Sequence, residues 1–182
     1  MALKSTIFKA ILQVADMDRG HYGDHALTLA RHPSETDERM MVRLLAFALN
    51  ADEALAFGRG LSSDDEPALW QKDLTGAIDT WIEVGLPDEK QLRRACGRAR
   101  RVIVYAYGSG TGIWWNRLEA DLARLDALAV ISVPVTATRA LAELAARTMA
   151  LQCTIQEGHV WISGGDRTVE IVPAMLKAPR PT

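Results

Sequence analysis

Apolar positions along the chain repeat at intervals of two in some stretches and of three to four in others, which predicts strands and helices respectively. The first stretch fits both periods. Thr6, Phe8, Ala10, Leu12 and Val14 alternate as in a strand, while Ile7, Ala10, Ile11 and Val14 share a helical face. A turn at Asp18-Arg19-Gly20 follows, then a second strand over about His25 to Ala30. Ser34 reads as an N-cap, with Glu35 and Asp37 favouring the helix dipole in the first turn. Met41, Val42, Leu45, Ala48 and Leu49 then form an apolar stripe. Glu38, three and four residues before Met41 and Val42, belongs to that stripe, while Arg39 and Arg43 point elsewhere.

Beyond a polar loop at Ser62 to Asp65, the strands Pro67 to Asp73 and Ala77 to Val84 flank a turn at Leu74-Thr75-Gly76. A helix follows with Pro87 near its first position, Asp88 and Glu89 in its first turn, and Leu92, Ala95, Cys96 and Ala99 as its stripe. The strand Val102 to Tyr107, a glycine-rich loop, a helix over Trp115 to Leu125 and a strand over Leu128 to Val133 come next. A helix through Arg139, Leu141, Leu144 and Ala145 leads into a strand meander, with turns at Glu157-Gly158 and Gly164-Gly165-Asp166 and a loose tail from Ala178 to Thr182. Strand–helix–strand–helix–strand from Ala77 to Val133 implies parallel pairing through crossovers. The hairpins at both ends imply antiparallel edges. The expected fold is α/β, a single domain of residues 1–182 with one mixed sheet and helices packed on it.

Composition adds bounds. With 182 residues, 48% apolar and 24% charged, the chain has the make-up of one globular domain. A net charge of −2 excludes a global pull toward nucleic acid or an anionic membrane, so a polyanion site requires a local cluster of bases. Charges at Lys4, Lys9 and Asp16 interrupt any signal-peptide core, and the longest apolar stretch, Leu128 to Val135, is too short to span a bilayer. A cytoplasmic protein without membrane partners is the expectation. Cys96 and Cys153 show no metal-ligand spacing.

Candidate chemistry centres on the strand Ala77 to Val84. Alternation sets Asp79, Trp81 and Glu83 on one face, and Ile78, Thr80, Ile82 and Val84 on the other. Asp79 and Glu83 lie roughly 13 Å apart along a strand and cannot share one ion. Folding the chain about Leu74-Thr75-Gly76 sets Asp73 opposite Ala77 and Pro67 opposite Glu83, so Asp65 and Glu66 fall near Glu83. Glu38 is a third carboxylate able to face inward. Sparse carboxylates of this kind hold Mg²⁺ together with water and substrate phosphate.

Several segments together resemble the YaeQ family. They are Glu38-Arg39-Met40-Met41-Val42-Arg43-Leu44-Leu45, Glu66-Pro67-Ala68-Leu69-Trp70, Asp73-Leu74-Thr75-Gly76, and Trp81-Ile82-Glu83-Val84-Gly85-Leu86-Pro87-Asp88-Glu89-Lys90. Arg94-Ala95-Cys96-Gly97-Arg98-Ala99 and Val104-Tyr105-Ala106-Tyr107-Gly108 continue the match, which covers essentially the whole chain. The resemblance implies a variant of the PD-(D/E)XK nuclease fold, a restriction-endonuclease-like core. It makes Glu38 the helix acid, sets Pro67-Ala68 where Pro-Asp would stand, and sets Glu83-Val84-Gly85 where the acid-x-lysine triplet would stand. Ala68 and Gly85 depart from the pattern. Glu66 would stand in for the missing aspartate and Lys90 for the missing lysine, with Gln91 and Arg94 lining the same helix.

Lys90, Arg93, Arg94, Arg98, Arg100 and Arg101 give that helix a basic side able to meet phosphates, or an ordinary solvated face. Gly108-Ser109-Gly110-Thr111-Gly112 lacks the Lys-Ser or Lys-Thr of a P-loop and reads as a connection. His21, Asp24 and His25 read as a surface turn, because Gly23 argues against a helix that would bring the histidines together. No Gly-x-Ser-x-Gly elbow is present. Trp70 and Trp81 read as core or half-buried platforms, and Trp114 and Trp115 as packing. Two functions follow. One is a Mg²⁺-dependent phosphodiesterase acting on nucleic acid, with Glu83, Glu66 and Glu38 as metal ligands, Lys90 as the electrostatic catalyst, and Arg94, Arg98 and Gln91 on the substrate. The other is a non-catalytic binding or interaction module on the same scaffold.

Overall fold

In the computed structural model, which describes residues 4–59 and 65–181, the first segment is a strand, β1 (Thr6–Asp16). Its alternating side chains Phe8, Ala10, Leu12 and Val14 are buried, while Ile11, needed by the helical alternative, is half exposed. β1 turns through Gly20, at φ +68°, into β2 (His21–Arg31), longer than the sequence predicts at both ends. The buried Asp16 carboxylate fixes that turn by accepting from the backbone N–H groups of Asp18 and Arg19.

The order then runs α1 (Asp37–Leu49), β3 (Leu55–Phe57), β4 (Leu69–Lys72), β5 (Ile78–Val84), α2 (Glu89–Arg98), β6 (Ala99–Ala106), α3 (Thr111–Leu122) and β7 (Leu128–Ser132). α4 (Val135–Ala142), β8 (Thr148–Gln156), β9 (His159–Gly164), β10 (Arg167–Ile171) and β11 (Ala174–Lys177) complete it. The predicted loop at Ser62 to Asp65 lies, Asp65 apart, outside the described residues. The tail is tied down as far as Arg180, whose N–H donates to the Asp126 carbonyl.

The strands form two mixed sheets where the sequence reading had one. The first has the order β10-β9-β8-β1-β2, the second β11-β7-β6-β5-β4-β3. What separates them is the return of β8, which pairs parallel with β1 and carries the C-terminal meander to the N-terminal hairpin. The expected parallel run is present, with β6 between β5 and β7.

α1 lies between the sheets and packs against β1, β2, β4 and β5. Every residue from Met40 to Ala48 is therefore buried, as befits a helix covered on all sides. This overturns two readings. Arg43, expected to point away, is 1% exposed and enclosed, with its guanidinium on Glu35 and the Ala30 carbonyl. The N-cap is Thr36, whose hydroxyl accepts from the Arg39 N–H, while Ser34 bonds His32. The freed Glu35 is buried against Arg39 and Arg43. A second core lies on the far face of the larger sheet, where α2 and α3 cover Trp81, Val102, Val104 and Val130.

Tyr105 of β6 faces the first core and accepts a hydrogen bond of 2.7 Å from Asn50 at the end of α1. Burial pushes its hydroxyl up from 10.0 to about 12, against the Asn50 bond. A raised folded-state value means stability fully present below pH 10 and lost as pH rises toward 12. The loss is about 2–3 kcal/mol for two pH units. Urea unfolding across this range should show a shallower alkaline decline in Tyr105→Phe than in the native chain. The buried Cys153 thiol, also raised to about 12, keeps its own share in both.

Among the described residues no helix is long and apolar enough to cross a membrane. Cys96 and Cys153 are free thiols.

Candidate functional site at the end of β5

The β4–β5 hairpin sets the site. Asp73 closes its turn by accepting from the N–H groups of Thr75 and Ala77, and Gly76 takes φ +86°. Asp73 stands opposite Ala77 as expected, but a bulge between Gln71 and Lys72 leaves Asp79 without a partner in β4. Beyond it Trp70 pairs with Trp81 and Leu69 with Ile82, so the register sets Ala68 beside Glu83, one residue from the Pro67 of the sequence reading. The bulge also turns Ile78 to the Trp81 side. Asp73 and Asp79 are tied to Arg100, and Asp79 to Arg101, away from Glu83.

Glu83 is half-buried and accepts 2.8 Å from the Trp81 indole N–H. Two residues on, Gly85 has φ +105°. A side chain there would meet nothing within 4 Å, so backbone conformation alone disfavours a lysine at this position. The chain then enters α2 through Asp88, which caps it in a reciprocal box with Gln91. Asp88 is the N-cap and Pro87 precedes it, two positions earlier than the predicted first helical position. The Trp114 indole N–H donates 2.8 Å to the Pro87 carbonyl and ties this entry to α3.

A cavity of about 240 Å³ opens where these pieces meet. Glu66 and Glu83 line it with Arg39, Arg94, Arg98 and Gln91. Pro67, Ala68, Trp81, Val84, Leu86, Pro87 and Ala95 form its apolar walls. Glu66 is held by Arg59, whose N–H donates 2.9 Å and whose guanidinium lies 3.5 Å away. Gly58 permits this close approach, since a Cβ there would fall 1.9 Å from the Pro67 carbonyl oxygen. Arg98 spans the cavity edge with its guanidinium 5.0 Å from the Trp81 ring centre and one N–H on the Asp65 carbonyl at 3.0 Å. Arg94 lies 3.3 Å from the Asp65 carboxylate. Arg39 reaches in from α1, steadied by the buried Glu35.

Of the residues singled out from sequence, Glu83, Glu66, Arg94, Arg98 and Gln91 meet in this cavity. Glu38 and Lys90 are absent from its walls. The Glu38 carboxylate accepts 2.9 Å from the Thr138 hydroxyl, which fastens α1 to α4. Lys90 is exposed on the first turn of α2. Gln91 spends its side-chain oxygen on the Asp88 N–H, so its amide NH₂ is what it can offer a ligand. Three participants were missed: Arg39, its anchor Glu35, and the Trp81 indole that orients Glu83. The spacing of Glu35, Arg39 and Arg43, four residues apart each time, was the available signal.

Among the described residues no three His, Cys, Asp or Glu side chains are grouped to hold one ion. Mg²⁺ asks for fewer, since it commonly takes one or two carboxylates and completes its shell with water and substrate phosphate. Glu66, just before β4, and Glu83, in β5, are the acidic residues among the cavity lining that could serve in this way. The glycine-rich stretch before α3 lies outside the cavity, its turn closed by the Thr111 N–H and hydroxyl on the Gly108 carbonyl.

The family model described as YaeQ protein matches residues 1–173. A protein of Salmonella typhi named uncharacterized protein YaeQ is 49% identical over 172 residues, 94% of this chain and 95% of its own. Its counterpart in Escherichia coli is 46% identical over the same shares. The crystal structure of YaeQ protein from Xanthomonas axonopodis pv. citri superposes with a TM-score of 0.94 at 49% identity, over 96% of this chain and 99% of that one. That from Pseudomonas syringae gives 0.92 at 40% identity, over 97% and 98%.

Proposed function

This chain belongs to the YaeQ family, and from that premise we propose that the cavity at the end of β5 is the active site of a metal-dependent phosphodiesterase acting on nucleic acid. One observation carries the reading: two glutamates and three arginines line a single small cavity. Carboxylates suit a hard cation, and guanidinium forks suit the paired oxygens of a phosphate.

The PD-(D/E)XK resemblance supports the same reading. The segments it matches to Pro-Asp and to acid-x-lysine are the start of β4 and the end of β5, and both border the cavity. Glu83 and Glu66 would hold Mg²⁺. When bound, the cation lowers the pKa of an attacking water and offsets charge on the phosphoryl oxygens. Trp81 keeps Glu83 in place by its indole hydrogen bond. Arg39, Arg94 and Arg98 donate to the non-bridging oxygens as charge builds on them, the task the lysine of the triplet would perform. Lys90, exposed on the first turn of α2, takes no part in lining the cavity, and Glu38 supports the site at one remove by fixing α1 to α4. At about 240 Å³ the cavity takes a phosphodiester and part of its sugar, with the rest of the strand lying across the mouth.

Arg94→Ala and Arg98→Ala should each weaken nucleic-acid binding evenly across sequences. Each should also reduce the slope of log affinity against log salt by about 1, read by anisotropy on a labelled single strand. For the activity, purified native chain is incubated with Mg²⁺ or Mn²⁺ and a mixture of single- and double-stranded DNA and RNA. Cation-dependent cleavage that stops on chelation is expected. Absence of cleavage on every substrate would contradict the reading and favour a non-catalytic binding module. The observation on that side is that Ala68 is buried and Gly85 carries no side chain, where the nuclease pattern has its aspartate and lysine.

A further inference from the structure

His21 and His25 lie four residues apart on β2, an edge strand, where side chains normally stand well separated. Here their rings fold toward each other, with the two Nε2 atoms 3.1 Å apart and the ring centres at 5.3 Å. Gly23 lies between them, and a Cβ there would sit 3.7 Å from the His25 Nε2 and 3.8 Å from the His21 Nε2, in ordinary contact with both rings. Phe47 of α1 meets the His25 ring edge-on at 5.2 Å and fixes its plane. Both histidines are half-buried, so the pair is reachable from solvent.

We propose that His21 and His25 form a two-nitrogen binding site for a first-row transition-metal dication such as Zn²⁺ or Ni²⁺, separate from the cavity at β5. Imidazole nitrogen is the ligand such ions prefer over the carboxylates that suit Mg²⁺. A zinc ion about 2.0–2.1 Å from each of two tetrahedral ligands needs them about 3.3–3.4 Å apart, within a few tenths of the spacing here. Without an ion, one ring donates its Nε2–H to the other. Binding requires that the donor ring move its proton from Nε2 to Nδ1 through solvent and that both rings turn, so that the Nε2 lone pairs, which point at each other without an ion, converge on it. Water fills the remaining positions, and the carboxylates of Asp24, Asp52 and Glu53, which act on the charge of His25, offset that of the ion.

The test titrates Zn²⁺ and Ni²⁺ calorimetrically into the untagged full chain, alongside His21→Ala, His25→Ala and Glu83→Ala. Thermal unfolding with and without metal gives a second readout. One histidine-dependent ion per native chain is expected, beside any that the β5 cavity takes. Each histidine variant should lose at least the 10–100-fold in affinity that removal of an outer-shell partner costs. Glu83→Ala should keep the histidine-dependent ion and lose any ion held at the β5 cavity. If His25→Ala fails to fold for want of its Phe47 contact, His21→Ala decides. No binding by the native chain, or binding unchanged in His21→Ala, would overturn the proposal.

Discussion

Replacing Glu35 by alanine is expected to lower stability by about 3–5 kcal/mol, the cost of breaking a buried ion pair from one side. Glu35 and Arg43 are each 1% exposed at their side chains, so the loss would strand a guanidinium between two sheets. Burial already pulls Arg43 below its ordinary value, and Glu35 is the group that opposes this. Relief is scarce nearby, since the Arg43 Nε has no hydrogen-bond partner among the described residues and one Nη already donates to the Ala30 carbonyl. Urea unfolding measures the effect as a fall in midpoint at constant slope. The double variant Glu35→Gln/Arg43→Met should recover much of the loss, because neither remaining side chain carries a charge. Glu35 also steadies Arg39, so the single variant should weaken phosphate binding at the cavity even where it remains folded.

That ion pair marks where sequence reasoning stopped. Period and turn chemistry were enough for the β1–β2 turn, the β4–β5 hairpin, the parallel run β5-β6-β7 and the α2 stripe, because each is written locally. The pairing of β8 with β1 joins residues more than a hundred positions apart, and neither strand's pattern names its partner. Missing it turned two sheets into one and left α1 with a solvent face. Arg43 was misplaced for that reason. A helix between two sheets buries every side, so an arginine on it must find an acid inside the core. The bulge at Asp79 was likewise silent, and it moved Glu83 from Pro67 to Ala68. The convergence of Glu66, Glu83, Arg94 and Arg98 was foreseeable, since it depends on the hairpin and the helix that follows. Arg39 was not, because it arrives from α1.

Glu83→Ala is expected to reduce cation-dependent cleavage by at least about 100-fold, the upper end of what losing even an outer-shell partner costs. Glu83 lies at the C-terminal end of a parallel strand, where α/β sheets place their ligands. Removing it leaves Glu66 as the sole acidic residue of the cavity lining among the described residues. The Trp81 indole N–H would lose its acceptor, a cost of about 1–3 kcal/mol for a buried donor. The variant therefore needs its fold checked by near-ultraviolet circular dichroism. Glu83→Gln, which keeps an acceptor for the indole, separates the two effects. It should unfold near the native midpoint and yet cleave as poorly as the alanine variant.

The decisive measurement is Mg²⁺- and Mn²⁺-dependent cleavage by native chain, Glu83→Ala and Glu83→Gln side by side, on whichever nucleic acid the native chain cuts. Activity in the native chain and loss in both folded variants is the predicted result. Cleavage that persists undiminished in Glu83→Gln would contradict the assignment of the active site to the cavity at the end of β5.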